Sequence, residues 1–98
     1  MPIEIQTTET FKNWVKSIRD IKTQSVIGVH LERAALGNLG KIKSVGGNIY
    51  EKKIYFGSGY RLYFIKKGDR IILLLCGGAK STQQKDIKLA QKIAKELL

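Results

Sequence analysis

An α+β domain with a helical hairpin packed on a mainly antiparallel four-stranded sheet, in the order β-α-α-β-β-β-α, is predicted from three observations. Apolar residues recur at helical spacing in the first third of the chain. Glycine turns separate three strand-like runs in the middle. A second helical stripe closes the sequence. With 98 residues and 43% hydrophobic content, the chain supports one modest core, and residues 1–98 read as a single domain.

The elements follow in order. Pro2-Ile3-Glu4-Ile5-Gln6 alternates apolar and polar, as a half-buried first strand does. Thr7 or Thr8 caps the next element, where Phe11, Trp14, Val15, Ile18 and Ile21 form one stripe of an amphipathic helix. A second helix is expected from about Thr23 to Leu36, with Ile27, Leu31 and Ala34 or Ala35 inward and Gly37 at its stop, although Gly28 weakens it. The stretch from Gly37 to Gly47 is rich in turn residues and reads as a loop carrying Lys41 and Lys43. Strands are expected at about Ile49 to Phe56, Tyr60 to Lys67 and Arg70 to Cys76. The run Ile71-Ile72-Leu73-Leu74-Leu75 does not alternate, so its strand should be covered on both faces. Ser81-Thr82-Gln83-Gln84 has capping-box spacing, and Ile87, Ala90, Ile93 or Ala94, and Leu97 continue it as a helix.

The charge is uneven. Eighteen Lys and Arg against eight Asp and Glu give +10 overall, yet residues 41–67 hold seven basic side chains and only Glu51. Such a concentration costs self-repulsion and points to an anionic partner. No apolar run approaches the roughly 20 residues of a membrane-spanning helix, and Met1 to Gln6 show neither a basic nor an apolar leader, so a cytoplasmic protein without a membrane partner is expected. The single Cys76 cannot form an internal disulfide and reads as core. No cluster of Asp, Glu, His or Cys has metal spacing, and neither metal nor other cofactor is expected. His30, inside the second helix, reads as a half-buried structural residue.

A three-residue loop at Gly57-Ser58-Gly59, left-handed at Gly59, pairs Phe56 with Tyr60, Tyr55 with Arg61, and Lys53 with Tyr63. One face of this hairpin then holds Ile54, Phe56, Tyr60, Leu62 and Phe64, which demand burial under the helices. The other holds Glu51, Lys53, Tyr55, Arg61 and Tyr63. Cations interleaved with aromatic rings suit an unstacked single strand, the cations pairing with phosphate and the rings stacking on bases. The same residues also suit a solvated open sheet face with ordinary cross-strand pairs, in which Glu51 either orients Arg61 or Lys53 or is a surface acid.

Three longer runs carry a family pattern. Gly40-Lys41-Ile42-Lys43-Ser44-Val45-Gly46-Gly47-Asn48-Ile49-Tyr50-Glu51, followed by Phe56-Gly57-Ser58-Gly59-Tyr60-Arg61-Leu62-Tyr63-Phe64, resembles the addiction-module killer proteins of the RelE/ParE toxin superfamily. Leu73-Leu74-Leu75-Cys76-Gly77-Gly78-Ala79-Lys80-Ser81-Thr82-Gln83, with Asp86-Ile87, is similar to that family's ending. The likeness extends from Phe11 onward. It implies a RelE/ParE-like fold, the toxin component of a type II toxin-antitoxin system, and an antitoxin partner of helix-turn-helix type encoded by the adjacent gene. Many RelE-like members cleave mRNA on the ribosome without a metal, inhibiting translation, and use the substrate 2′-hydroxyl as nucleophile. The resemblance places Lys41, Lys43, Lys53, Arg61 and Lys80 at the basic catalytic positions, while Glu51, Tyr55 and Tyr63 are expected toward RNA from the hairpin face described above. Where relatives often read Glu-Leu-Arg, this chain reads Glu51-Lys52-Lys53, a point charge in place of a planar bidentate guanidinium.

Internal attack on a phosphodiester needs a base for the 2′-hydroxyl, cations for the phosphorane and an acid for the leaving oxygen. Clustered cations favour a neutral amine among them, which makes Lys41 or Lys43 the candidate base, with Arg61 and Lys53 stabilising charge. Lys80, just before a helix N-terminus, has backbone that helps hold an anion. Two other functions fit the same sequence: inhibition of DNA gyrase in the manner of ParE, and a non-catalytic nucleic-acid-binding module.

Overall fold

A computed structural model describes residues 2–97 of the chain. Among these, β1 (Glu4–Thr7), β2 (Ile42–Ser44), β3 (Ile49–Ile54), β4 (Tyr60–Lys67) and β5 (Ile71–Ala79) form one sheet in the order β1-β5-β4-β3-β2. β1 runs parallel to β5, and every other neighbour is antiparallel. The helices are α1 (Glu9–Ser17), α2 (Ile21–Ala35) and α3 (Gln83–Leu97), the last entered through a 3-10 turn over Lys80–Thr82.

The sheet therefore has five strands rather than four. The additional one is β2, inside the stretch expected to be a loop, where Ile42, Lys43 and Ser44 pair with Lys52, Glu51 and Tyr50. Gly46, Gly47 and Asn48 all take positive φ, at 95°, 61° and 63°. These left-handed residues, which glycine and asparagine tolerate best, reverse the chain tightly enough for the two strands to meet. Ile42 packs against the core and holds the register.

The β3–β4 hairpin differs from its expected form in loop length. β3 ends at Ile54 opposite Tyr60, so the connection is residues 55–59, and every pair is displaced by two: Lys53 faces Arg61 and Glu51 faces Tyr63. A slip of two leaves each side chain on its expected face, whereas a slip of one would have exchanged the faces. Gly59 takes the expected left-handed conformation, with φ 93°.

Both faces of the sheet are covered. On one, Phe11 of α1 and Ile27 and Ala34 of α2 pack on Ile54, Leu62, Phe64, Ile72 and Leu74. On the other, Ala90 and Ala94 of α3 pack on Ile49, Tyr63, Leu73, Leu75 and Cys76. Full burial of side chains of this size is worth about 1.5–3 kcal/mol each. The nonalternating run Ile71 to Leu75 is thus buried from both sides. The face expected to be open, however, lies partly under α3, which removes Glu51, Arg61 and Tyr63 from solvent.

Helix ends follow their caps. Thr8 caps α1, its hydroxyl oxygen accepting from Phe11 N at 3.0 Å. α1 stops at Ser17 and does not reach Ile21. Asp20 instead caps α2, accepting from Lys22 N at 3.1 Å and from the Thr23 hydroxyl at 2.9 Å. Ile21 consequently opens α2 and lies exposed. The capping box expected at Ser81 is not what starts α3: the chain turns through the 3-10 segment, and the Thr82 hydroxyl bonds Asp86 Oδ2 at 2.5 Å.

A bulge interrupts β5. Tyr63 pairs with Cys76 but Phe64 pairs with Leu74, leaving Leu75 as the extra residue. Leu75 and Cys76 both join the α3 side, and the alternation beyond them reverses. Gly77 then meets Trp14 of α1, and Gly78 meets Asp86 of α3. A Cβ would stand 2.3 Å from the Trp14 ring at Gly77 and 1.8 Å from Asp86 Oδ2 at Gly78. Gly77→Ala and Gly78→Ala are each expected to destabilise the fold by about 1–3 kcal/mol through overpacking. Thermal unfolding checks this, since each kcal/mol moves Tm by roughly 4–8 °C in a domain of this size; an unchanged Tm would show that the helices stand off the strand.

Candidate nucleic-acid interface

Strand register assembles the basic residues. Ile42 opposite Lys52 places Lys41 next to Lys53, which faces Arg61, which in turn faces Gly78 on β5. A second row runs Lys43, Glu51, Tyr63, Cys76. Strands stand about 4.8 Å apart, so Lys41, Lys53 and Arg61 span roughly 10 Å across one face. Lys41, Lys43, Lys53, Tyr55 and Lys80 are exposed, and Glu51, Arg61 and Tyr63 are buried beside them. All eight residues singled out from the sequence therefore share one face or its rim, but they divide into an exposed, mainly cationic fringe and a buried base.

The fixed base is a polar layer beneath the N-terminal end of α3. Arg61 Nε stands 3.5 Å from Glu51 Oε1, with their side chains 10% and 1% exposed. Arg61 Nη1 donates to the Lys80 carbonyl at 3.2 Å, and Gln83 Nε2 donates to Glu51 Oε2 at 2.8 Å. The ionic contact is not an aligned hydrogen bond, so the Arg61–Glu51 attraction acts through charge while Lys80 and Gln83 supply direction. Glu51 is thus the buried counter-charge of Arg61 and not a surface acid. Lys80 contributes its backbone to this layer and its exposed side chain to the rim.

Tyr63 is fully buried, and no ring face is left to stack on a base. Its hydroxyl has no aligned partner, and its pKa is raised by burial first, then by Glu51 and Asp86, against the opposing effect of Arg61. Tyr55 is the reverse case: it is 88% exposed and keeps both faces of its ring available. Around the hairpin a cavity of about 390 Å³ is lined by Lys53, Tyr55, Tyr60, Arg61 and Lys80 together with the loop glycines.

Two residues of this layer were quoted in the sequence without a role. Gln83 and Asp86 lie three apart on α3 and four before Ala90, so one helical stripe carries all three against the sheet. That spacing was the available signal. Cys76 lies in the core as expected, with its thiol pushed up to about 12, by burial first and Asp86 second. His30 is half-buried, and its pKa is lowered by burial and then by Lys52 and Arg33. Among the described residues no three His, Cys, Asp or Glu side chains are grouped to hold a metal ion, and no helix is long and apolar enough to cross a membrane.

The architecture is that of the RelE toxins. An E. coli RelE double arginine-to-alanine mutant in the free state matches with a TM-score of 0.73 over 100% of both chains at 15% identity. A chain of the Mycobacterium tuberculosis toxin-antitoxin complex RelBE2 matches with a TM-score of 0.66 at 12% identity, covering 82% of this chain and 100% of that one. No protein-family profile matches the sequence. A Haemophilus influenzae protein described as uncharacterized is 43% identical over 97 residues, 99% of this chain and 98% of that protein, and the chain belongs to its family.

Removing Glu51 leaves a buried guanidinium without its counter-charge. Glu51→Ala is expected to cost about 3–5 kcal/mol in denaturant unfolding; a loss below 1 kcal/mol would mean that Arg61 swings out to water. Alkaline pH provides a second check. The folded chain holds the Cys76 proton up to about 12, whereas an ordinary thiol releases it near 9.0. The resulting stabilisation is complete below about pH 9 and is lost as pH rises toward 12. Tyr63 acts with the same sign from its ordinary value of 10.0 upward. Urea midpoints should fall above pH 9, and less steeply in Cys76→Ala; equal slopes would count against a protonated buried thiol.

Proposed function

We propose that this protein is the toxin of a type II toxin-antitoxin system and that it acts as a metal-independent endoribonuclease on mRNA in the ribosome. The observation that carries the reading is the row Lys41, Lys53, Arg61, exposed at one end and anchored at the other by Glu51, Gln83 and the Lys80 carbonyl. A guanidinium held before substrate arrives needs little reorganisation as charge develops on a phosphorane. The RelE-like fold supports the same reading.

In the reaction, the 2′-oxygen attacks the adjacent phosphorus and gives its proton to the amine of Lys41 or Lys43. Lys53 and Arg61 face the phosphorane oxygens. The P–O5′ bond breaks, and the leaving oxygen takes a proton from an ammonium at the rim, for which Lys80 is placed. The products are a cyclic phosphate and a 5′-hydroxyl. Tyr55 offers its ring to an unstacked base. Between toxic episodes, an acidic segment of a cognate antitoxin covers the cationic face, as the net charge of +10 favours; the RelBE2 complex is the precedent among similar folds.

Mapping RNA ends after induction tests the reading. New ends are expected within translated messages, reduced by roughly 100-fold or more in Lys53→Ala. Lys53 is exposed, so this variant should keep its Tm. Growth arrest without new ends would overturn the proposal, and trapped cleavage complexes in a gyrase supercoiling assay would replace it.

A further inference from the structure

Around the β2 edge of the sheet lies a buried charge that no acidic side chain compensates. Lys52, on β3, is 8% exposed. Its Nζ donates to the Leu39 carbonyl at 2.6 Å. Gly40, left-handed with φ 64°, brings the loop so close that a Cβ there would stand 3.3 Å from Nζ. Among the described residues the ion pair is Arg61 with Glu51, and none involves Lys52. Burial first, and the charge of Arg33 second, lower the Lys52 pKa. His30 is beside it, with Nδ1 buried and unpartnered.

Burying an ammonium without a counter-charge is unfavourable, and a buried ring nitrogen without a partner adds to that cost. Both groups line a cavity of about 460 Å³, together with Lys41, Lys43, Lys53 and Tyr55. The cavity's one carboxylate, Glu51, is already engaged by Arg61 and Gln83. Lys53 and Tyr55 also line the hairpin cavity that contains Arg61 and Lys80. Two cation-lined hollows therefore adjoin across one exposed aromatic ring.

We propose that the cavity at His30 and Lys52 is a second phosphate subsite, which takes the nucleotide next to the one held at Arg61 on the same RNA strand. Its phosphate supplies the counter-charge that Lys52 lacks, and Tyr55 stands between the two nucleotides as a stacking partner. The inference rests on the nucleic-acid reading of the α3-side face, from which the RNA strand passes round the β2 edge to Lys52 on the side of Ile42 and Leu62, and it adds a minimum substrate of two phosphates with a ring between them.

A deoxytrinucleotide is a suitable probe, having two phosphates and no 2′-hydroxyl to attack. Its NMR titration into the full chain should shift both the His30 ring signals and the Gly57 and Gly59 amides. Lys52→Leu should weaken its binding by about tenfold, the loss of one charge-assisted contact, while Tm stays constant or rises because a buried unpaired charge is gone. A purely structural Lys52 would instead lower Tm and leave binding unchanged. If the trinucleotide moves Gly57 and Gly59 but not His30, and Lys52→Leu binds as well as wild type, the second subsite is wrong and the nucleic-acid reading stands. If it moves none of them, both fail. Two controls settle the source of the anion: inorganic phosphate shifting His30 as fully at equal concentration, or hexaglutamate shifting it more, would overturn the nucleotide assignment.

Discussion

The fold depends on β5 being buried from both sides. It is the strand that pairs with β1 and with β4, and it carries α1 on one face and α3 on the other. Interiors pack to crystal-like density, so two helices can approach one strand this closely only if its side chains step aside where they cross. The bulge at Leu75 does this by reversing the alternation, and Gly77 and Gly78 present bare backbone to Trp14 and Asp86. α3 is thereby seated low enough for Gln83 to reach Glu51 across the sheet. A helix held further out would leave Arg61 without its orienting neighbour.

The cationic surface is built in two tiers as a consequence. Exposed lysines on β2, β3 and the turn before α3 contribute long-range attraction, which is screened by salt over about 8–10 Å. Arg61 below them contributes a fixed direction. Lysine rotamers are costly to immobilise and its ammonium is a compact point charge, whereas the guanidinium is a planar fork. Placing the one arginine of this face in the anchored tier and lysines in the exposed tier gives each residue type the environment its chemistry suits. Lys53 follows that division, an exposed lysine standing directly opposite the anchored Arg61.

Much of this was legible in the residues. The α1 stripe of Phe11 and Trp14, the apolar hairpin face of Ile54, Leu62 and Phe64, and the double burial of Ile71 to Leu75 all follow from local periodicity, which the fold preserves. What periodicity cannot express is distance between segments. β2 exists only because the 46–48 turn returns it to β3, and three residues rich in lysine do not announce a strand. The hairpin register depends on how many residues of Tyr55 to Gly59 the turn consumes, which Gly-Ser-Gly leaves open. The stripe on α3 shows that it buries a face without saying which side of the sheet receives it, so Tyr63 appeared exposed and Gln83 appeared idle. Lys52 stood out as a departure from a pattern, but its lack of an acidic partner is a property of the folded environment.

Because β1 pairs with β5, the chain also has an order of events in time. Glu4 meets Ile71 and Thr7 meets Leu74, a separation of 67 residues, and closing so long a loop must precede any reward from the contact. During synthesis at roughly 5–20 residues per second, β1 waits roughly 3–13 s for its partner. α1 and α2 meanwhile have no sheet on which to bury Phe11 and Ile27. Gln83 emerges later still, and until it does Glu51 and Arg61 have no anchor from α3. Assembly of the two-tiered face therefore waits for Gln83, which leaves the ribosome only after every strand of the sheet.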